Sequence, residues 1–387
     1  MNNFNYFQPT EIRFGCGRIN EIGEVVSEIG KRCILVTVPI FEAIRPAFEK
    51  VKKSLSDAGM CVTHFDKVIP NPTIDSVTIG AEMAKDFKAD VVIGLGGGSS
   101  MDTAKAIAVE TTHKGTSWDY LFYKEIQPTE KTLPIITLTT TSGTGSQVTQ
   151  VAVVSNPAEK KKSAIYNSIL YPKVSIVDPE LMLSVPEHIS ASTGFDVFTH
   201  AFEAYLHKNT SPYIELIALG AIKLVIRYLP KVIKDGSDLD TRTKMAWSDT
   251  LAGLSIANAG VTLPHGIGMA IGGCCSHVMH GEALAAVYPE FICYTYSSAI
   301  DKFAVLARLF DKSLLKVSDS IAAEKACDLV INFLKDIKMY SSLKDLKIPE
   351  TELEEIAIKS MELPDYTNNP RVADIEEIKT ILKNSYN

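Results

Sequence analysis

The sequence predicts two domains: an α/β N-terminal domain with a parallel, doubly wound sheet over residues 1–182, and an all-α C-terminal domain over residues 183–387. Three observations predict it. Short β-branched apolar runs alternate with segments of helical spacing through the first half, the pattern of a parallel sheet with crossover helices. Strand-like runs cease after about residue 185, and the remainder of the chain has helical periodicity. A chain of 387 residues has room for two cores, at roughly 150 residues per domain.

In chain order, residues 33–38 form a β-branched apolar run, 40–58 have helical spacing, and 61–65 are strand-like before the turn Asn71-Pro72-Thr73. Residues 76–88 read as a helix, 90–95 as a buried strand and 99–110 as a helix. Two further strands are expected at 134–138 and 174–177. Past the boundary, 186–206, 213–228, 241–257, 281–294, 303–310 and 321–335 read as helices. No low-complexity linker or repeat separates the halves. They are expected to pack closely, with a ligand site in the cleft between them.

Composition narrows the function class. With 46% hydrophobic and 22% charged residues, disordered, collagen-like and disulfide-scaffold readings fall away. Lys plus Arg is 39 against 46 Asp plus Glu, a net charge of −7. No basic run exceeds Lys160-Lys161-Lys162, which argues against binding nucleic acid through its phosphates. Seven cysteines without a CxxC pair suit buried, reduced thiols in the cytoplasm. Residues 1–8 lack the basic start and apolar stretch of a signal peptide. The stretch 251–276 is apolar enough to weigh as a membrane span, but it holds six glycines, Asn258, Pro264 and His265. A buried, glycine-rich core segment is the expectation, with no membrane partner.

Two loops suit a phosphate. In Val91-Val92-Ile93-Gly94-Leu95-Gly96-Gly97-Gly98-Ser99-Ser100-Met101-Asp102 a strand runs through glycines into a helix start. Glycine lets backbone approach a ligand, and the free N–H groups of a helix start favour an anion. It is neither G-x-G-x-x-G nor a Walker loop. A tight strand-to-helix turn without ligand would look the same. The hydroxyl-rich loop Thr139-Thr140-Thr141-Ser142-Gly143-Thr144-Gly145-Ser146 follows the next strand. A solvated turn is its plain alternative, but two such loops at strand C-termini favour one dinucleotide groove.

The histidines number eight. Asp196 and His200 stand four apart, on one helical face among apolar neighbours. A satisfied Asp–His hydrogen bond explains that pair alone. His265, inside the glycine-rich apolar stretch, and His280, before Gly281, extend the set to one carboxylate and three imidazoles. That O/N mixture suits iron or zinc in a catalytic role. His277 competes with His280 for the last position. His207 is expected near a helix C-terminus, where a cation is favoured. His64, His113 and His188 read as surface or packing residues.

Together these elements resemble the iron-containing (group III) alcohol dehydrogenases across nearly the whole chain. The resemblance runs from Phe14-Gly15-Cys16-Gly17 and Pro70-Asn71-Pro72-Thr73 through Gly96-Gly97-Gly98-Ser99 with Asp102-Thr103-Ala104-Lys105. It continues through Thr140-Thr141-Ser142-Gly143-Thr144-Gly145-Ser146 and Val177-Asp178-Pro179-Glu180-Leu181. It then takes in Thr193-Gly194-Phe195-Asp196 and His200-Ala201-Phe202-Glu203-Ala204-Tyr205. It implies a dehydroquinate synthase-like pairing of domains and a homodimer or larger homo-oligomer. It implies a metal, iron or zinc, held by Asp196, His200, His265 and His280. It also implies an NAD(P)(H) site with Gly97, Gly98 and Ser99 at the pyrophosphate, and with Asn71, Asp102, Thr140, Thr141, Thr144, Ser146 and Lys162 around the cofactor. The chain departs from the pattern at Met269, where many members carry a second histidine, and its spacing to His280 is about one residue longer.

The implied chemistry is reversible hydride transfer between NAD(P)(H) and a small alcohol or aldehyde. A glycerol dehydrogenase-like or dehydroquinate synthase-like enzyme would keep the fold, and trials with simple aldehydes and reduced cofactor separate these. A non-catalytic metal-binding protein would show no nicotinamide absorbance change. With Met269 in place of histidine, His277 is the nearest candidate for a proton relay; a plain surface histidine is its alternative. After the 33–38 strand no acid precedes Glu42 and no base precedes Arg45, so weak discrimination between NADH and NADPH is expected.

Overall fold

The computed structural model describes residues 3–387. The elements run β1 (Glu11–Phe14), α1 (Ile22–Ser27), β2 (Arg32–Val36), α2 (Arg45–Asp57), β3 (Cys61–Phe65), α3 (Ile74–Phe87), β4 (Val91–Gly96), α4 (Gly98–Thr112), β5 (Ile135–Thr139), β6 (Val151–Asn156), β7 (Lys161–Tyr166) and β8 (Val174–Val177). From there the chain is helical: α5 (Glu187–Leu206), α6 (Pro212–Lys234), α7 (Leu239–Ala259), α8 (Leu263–Cys274), α9 (His280–Thr295), α10 (Ile300–Phe310), α11 (Asp319–Glu324), α12 (Ala326–Asp336), α13 (Leu353–Ser360) and α14 (Ile375–Asn384).

Six strands form one sheet in the order β1-β8-β5-β4-β2-β3, every pairing parallel. Alternation along each strand assigns side chains to two cores. Ile34, Val36 and Val92 pack with Val77 of α3 and Ile107 of α4 on one face. Cys33, Leu35, Ile93 and Leu95 pack with Val25 of α1 and Val51 of α2 on the other. Both faces are covered, as a doubly wound sheet requires. β6 and β7 form a separate antiparallel hairpin.

The third core is that of the helical domain. α5 runs through it almost wholly buried, with Phe195, Phe198 and Phe202 against Tyr288 and Phe303. A helix apolar on all sides has to be central, and this one carries the polar residues Asp196, His200 and Glu203 inside.

The predicted strands and helices are present within a few residues. The differences have physical causes. β1 is a four-residue edge strand of mixed polarity, too short to show a period. The hairpin is masked in sequence by the lysines at its turn. The 321–335 segment breaks at Lys325 into α11 and α12. The apolar stretch 251–276 is the end of α7 plus α8, joined by a 100° bend. No single helix among the described residues is long and apolar enough to cross a membrane. All seven cysteines are free; Cys33 and Cys275 are buried, whereas Cys16, Cys61 and Cys293 are exposed, so the expectation of buried thiols holds only in part.

Candidate metal centre and cofactor cleft

A cleft of about 1090 Å³ runs between the sheet's C-terminal edge and the helical domain. β4 ends at Gly96 and α4 begins at Gly98, with no side chain capping the helix. Its first N–H groups are therefore open to an anion. A Cβ on Gly98 would run into the Thr144 side chain, and one on Gly97 would lie 3.1 Å from Thr141 Oγ1. Bare backbone is what lets the two loops meet.

Nine of the residues expected around a cofactor line this cleft: Asn71, Gly97, Gly98, Ser99, Asp102, Thr141, Thr144, Ser146 and Lys162. Thr140 is not among the lining residues; its N–H bonds to the Gly96 carbonyl at 3.0 Å and ties the loop to the sheet. Asp102 and Ser146 are bonded mainly to each other, with Ser146 Oγ donating to Asp102 Oδ1 at 2.7 Å and Val153 N–H to Oδ2 at 3.2 Å. Beneath them the fully buried Lys105 donates to the carbonyls of Ser146, Thr149 and Val151 at 2.7, 2.8 and 2.8 Å. Burial raises the Asp102 carboxyl and lowers Lys105 to about 8. Lys105 is a brace that sequence reasoning missed, although a lone lysine inside Ala104-Lys105-Ala106-Ile107 was a signal. Lys162 Nζ donates to Asn71 Oδ1 at 2.8 Å, and burial lowers it to about 8 against the pull of Asp102 and Asp196.

At the floor of the cleft three imidazoles converge on one carboxylate oxygen. Nε2 of His200, His265 and His280 lies 3.7, 3.7 and 3.9 Å from Asp196 Oδ1. Donor atoms of Asp196, His265 and His280 are all within 4.8 Å of one another; His200 stands just outside that set, stacked on His265 with ring centroids 4.7 Å apart. α5 supplies Asp196 and His200 from one face, α8 supplies His265 from its first turn, and α9 begins at His280.

The surroundings prepare these rings. His265 Nδ1 meets Glu203 Oε1 at 2.7 Å, and His200 Nδ1 meets the Gly143 carbonyl at 3.2 Å. A carboxylate and a carbonyl can only accept, so each Nδ1 carries a proton, and Nε2 is the nitrogen left to offer a lone pair to a cation. Glu203 Oε2 is held by Thr262 N–H and Oγ1 at 2.8 and 3.2 Å. Glu203 was also missed in sequence, though it lies seven residues from Asp196 on the same helical face. His280 lacks such support, its Nδ1 being buried without a partner among the described residues.

Electrostatics separate the three rings. Burial pushes the Asp196 carboxyl up, but the surrounding imidazoles outweigh it and hold it below the carboxylate range. Burial lowers His200 to about 4 and takes His280 well below its ordinary value. Burial also works against charge on His265, but Glu203 and Asp196 outweigh it and lift that ring to about 10. Asp196 Oδ1 and His265 Nε2 are buried with no hydrogen-bond partner among the described residues. Orphaned acceptors and a mixed O/N donor set are what a divalent cation satisfies, so these residues fit a metal.

Two expectations about the other histidines change, and one holds. His277 lies in a turn before α9, exposed at the cleft, with Nε2 3.1 Å from the Leu346 carbonyl. His277 therefore shares no helical face with His280. His207 does cap the C-terminus of α5 but is no cation; burial lowers it to about 4, and it accepts from Asn209 N–H at 2.9 Å. His64 packs on Phe48 at 4.5 Å, as expected of a packing residue.

Residues 9–179 match the family described as Iron-containing alcohol dehydrogenase, and residues 190–386 match Fe-containing alcohol dehydrogenase family, C-terminal. The chain belongs to the iron-containing alcohol dehydrogenase family. The NAD-dependent methanol dehydrogenase of Bacillus methanolicus is 32% identical over 381 residues, covering 98% of this chain and 99% of that protein. The choline dehydrogenase of Bacillus subtilis (strain 168) is 34% identical over 391 residues, covering 100% and 96%. An archaeal halo-thermophilic Red Sea brine pool alcohol dehydrogenase, solved bound to NZQ, is similar with a TM-score of 0.93 at 34% identity, both chains covered in full. As a member of this iron-containing alcohol dehydrogenase family with a buried Asp/His cluster, the protein is a metal-dependent oxidoreductase that uses NAD(P)(H) on small alcohols or aldehydes. Its two-domain architecture is the one shared by these dehydrogenases and the dehydroquinate synthases.

Proposed function

We propose that Asp196, His200, His265 and His280 hold one divalent metal, and that the alcohol or aldehyde reacts between it and a nicotinamide seated along the two loops. The observation that carries this reading is the convergence of three Nε2 atoms on Asp196 Oδ1 at 3.7–3.9 Å, with that oxygen buried and unpartnered. When bound, the metal supplies Lewis acidity toward the substrate oxygen and the dinucleotide takes or gives the hydride.

The chain's own residues do the rest. Gly97, Gly98 and Ser99 present the start of α4 to the pyrophosphate, and Thr141 and Thr144 wall the same groove. Asp102 and Ser146 brace it, and Thr140 anchors the loop. Lys162, held by Asn71, stands between the cofactor loops and the Asp/His cluster. Ile256, Val261 and Leu363 line the cleft with apolar surface, which keeps water from the reacting carbon. His277 is the proton relay in this reading. With Nε2–H donated to the Leu346 carbonyl, its Nδ1 carries the lone pair that takes a proton from the cleft.

The cofactor domain is taken as residues 1–182 and the helical domain as 183–387. The unit is taken as a cytoplasmic homodimer or larger homo-oligomer that discriminates weakly between NADH and NADPH. The test is a panel of short aldehydes with each cofactor, using iron-loaded and zinc-loaded protein. Loss of nicotinamide absorbance with at least one aldehyde is expected. No change with any aldehyde in either metal form would contradict the reading.

A further inference from the structure

Resting on the alcohol-site reading above, the cleft holds one carboxylate that neither the cofactor loops nor the metal cluster uses. Asp365 sits on the short 3-10 turn Pro364–Asn368 and lines the cleft beside Leu363 and Asn368. The turn lies against α8. A Cβ built on Gly266 would be 3.5 Å from Asp365 Cβ and 3.6 Å from Oδ2. The carboxylate is thus laid against the residue that follows His265.

Its surroundings leave it unserved. Burial works against its charge, the His265 imidazole favours that charge and the Glu203 carboxylate opposes it, and no hydrogen bond reaches its carboxylate among the described residues. Those two are already bonded to each other at 2.7 Å. The other carboxylates lining the cleft are accounted for. Asp102 accepts from Ser146 and Val153, and Asp196 faces the three imidazoles. Asp365 has no such partner, in a cleft whose lining also includes the apolar side chains of Ile256, Ala257 and Val261. A carboxylate in such surroundings without a donor is unfavourable, and a donor brought by a ligand relieves it.

We propose that Asp365 determines specificity by accepting a hydrogen bond from a second N–H or O–H donor on the substrate, so that short diols and amino alcohols are preferred over plain alkanols. A site built to bond such a group discriminates against the analogue that lacks it, because its own acceptor is then left unpaired. An ammonium would engage the charge as well as the lone pairs, and a hydroxyl the lone pairs alone.

The experiment compares 1-propanol, 1,3-propanediol and 3-amino-1-propanol in the metal-loaded wild type, Asp365→Asn and Asp365→Leu. One readout is the kcat/KM ratio of each donor-bearing alcohol to 1-propanol. The second is calorimetric binding of the same alcohols in the presence of NADH, where no oxidation occurs. The expected result is a wild-type preference of at least about tenfold for a donor-bearing alcohol, collapsing in Asp365→Leu. Asp365→Asn keeps an acceptor; it retains a hydroxyl preference and loses an ammonium preference, which tells the two sources apart. Ratios that stay within about twofold of wild type in Asp365→Leu would overturn the proposal, as would a wild-type preference for 1-propanol or no binding of either donor-bearing alcohol. Binding preference without turnover of any alcohol would instead count against the dehydrogenase reading, leaving the role of Asp365 standing.

Discussion

His265 Nδ1 donates to Glu203 Oε1 at 2.7 Å, and that bond turns the opposite nitrogen toward Asp196, 3.7 Å away. One helix, α5, supplies both carboxylates, one to receive a cation and one to orient a ring that would bind it. The Gly143 carbonyl treats His200 in the same way. Gly143 belongs to the loop whose Thr141 and Thr144 line the groove, so the loop that walls the cofactor groove also sets the tautomer of an imidazole in the cluster.

Replacing Glu203 with Gln tests that orienting role. Glu203 accepts on both oxygens, from His265 on one and from Thr262 on the other. A Gln has one acceptor and would point an NH₂ at one of these donors. Metal affinity, read by competition with a chelator, should fall about 10- to 100-fold, with far-UV circular dichroism unchanged. Wild-type affinity would show that Glu203 is only packing.

Asp249 gives a pH dependence. It accepts from Gly145 N–H at 3.0 Å and from Gln147 Nε2 at 2.7 Å, tying α7 to the hydroxyl loop. Burial pushes its carboxyl up to about 7 from an ordinary 3.8. A carboxyl raised on folding favours the protonated folded state. Its contribution is therefore full below the unfolded value and is lost as pH rises through about 7. Asp249→Asn keeps an acceptor for Gly145, and its amide can donate to Gln147 Oε1, which has no partner now, once that side chain turns over. Thermal melts should show the Asn variant more stable than wild type at pH 8, with the gap narrowing as pH falls to 5. Asp249→Ala leaves Gly145 N–H buried and unpaired, at a cost of about 1–3 kcal/mol relative to Asp249→Asn at both pH values.

Gly98→Val addresses the groove. A side chain there would push against Thr144 and separate the two loops. NADH affinity, followed by fluorescence titration, should drop at least about tenfold, nearly 1.4 kcal/mol, while bound metal is unchanged. Normal NADH binding would move the pyrophosphate away from the start of α4.

His277→Ala separates relay from ligand. The ring lies in the turn before α9 and bonds to the Leu346 carbonyl. Metal should remain bound and the pH–rate profile for alcohol oxidation should change shape. An unchanged profile would send the proton out through cofactor ribose or water. Loss of metal would make His277 a ligand.

Much of this molecule is legible in sequence where a single period or a glycine run dictates local structure. β3 and β8 end where the apolar runs end, and the turn from Gly96 to Gly98 follows from residues that bear no Cβ. Asp196 and His200 are readable because a helix repeats every 3.6 residues. Their union with His265 and His280 depends on how α5, α8 and α9 pack, which no local pattern encodes. The groups that meet Lys105, Asp249 and Asp365 lie 41 or more residues away in sequence, out of reach of any local pattern. The place of His277 is not legible locally, because helix α9 starts at His280 rather than earlier.

The central claim is that one divalent metal sits among Asp196, His200, His265 and His280. The most direct measurement is metal content by mass spectrometry on protein purified without chelator, for wild type and Asp196→Ala, with folding checked by NADH binding. One equivalent of iron or zinc in wild type, and almost none in a variant that still binds NADH, is the predicted result. A full equivalent in Asp196→Ala would contradict the account.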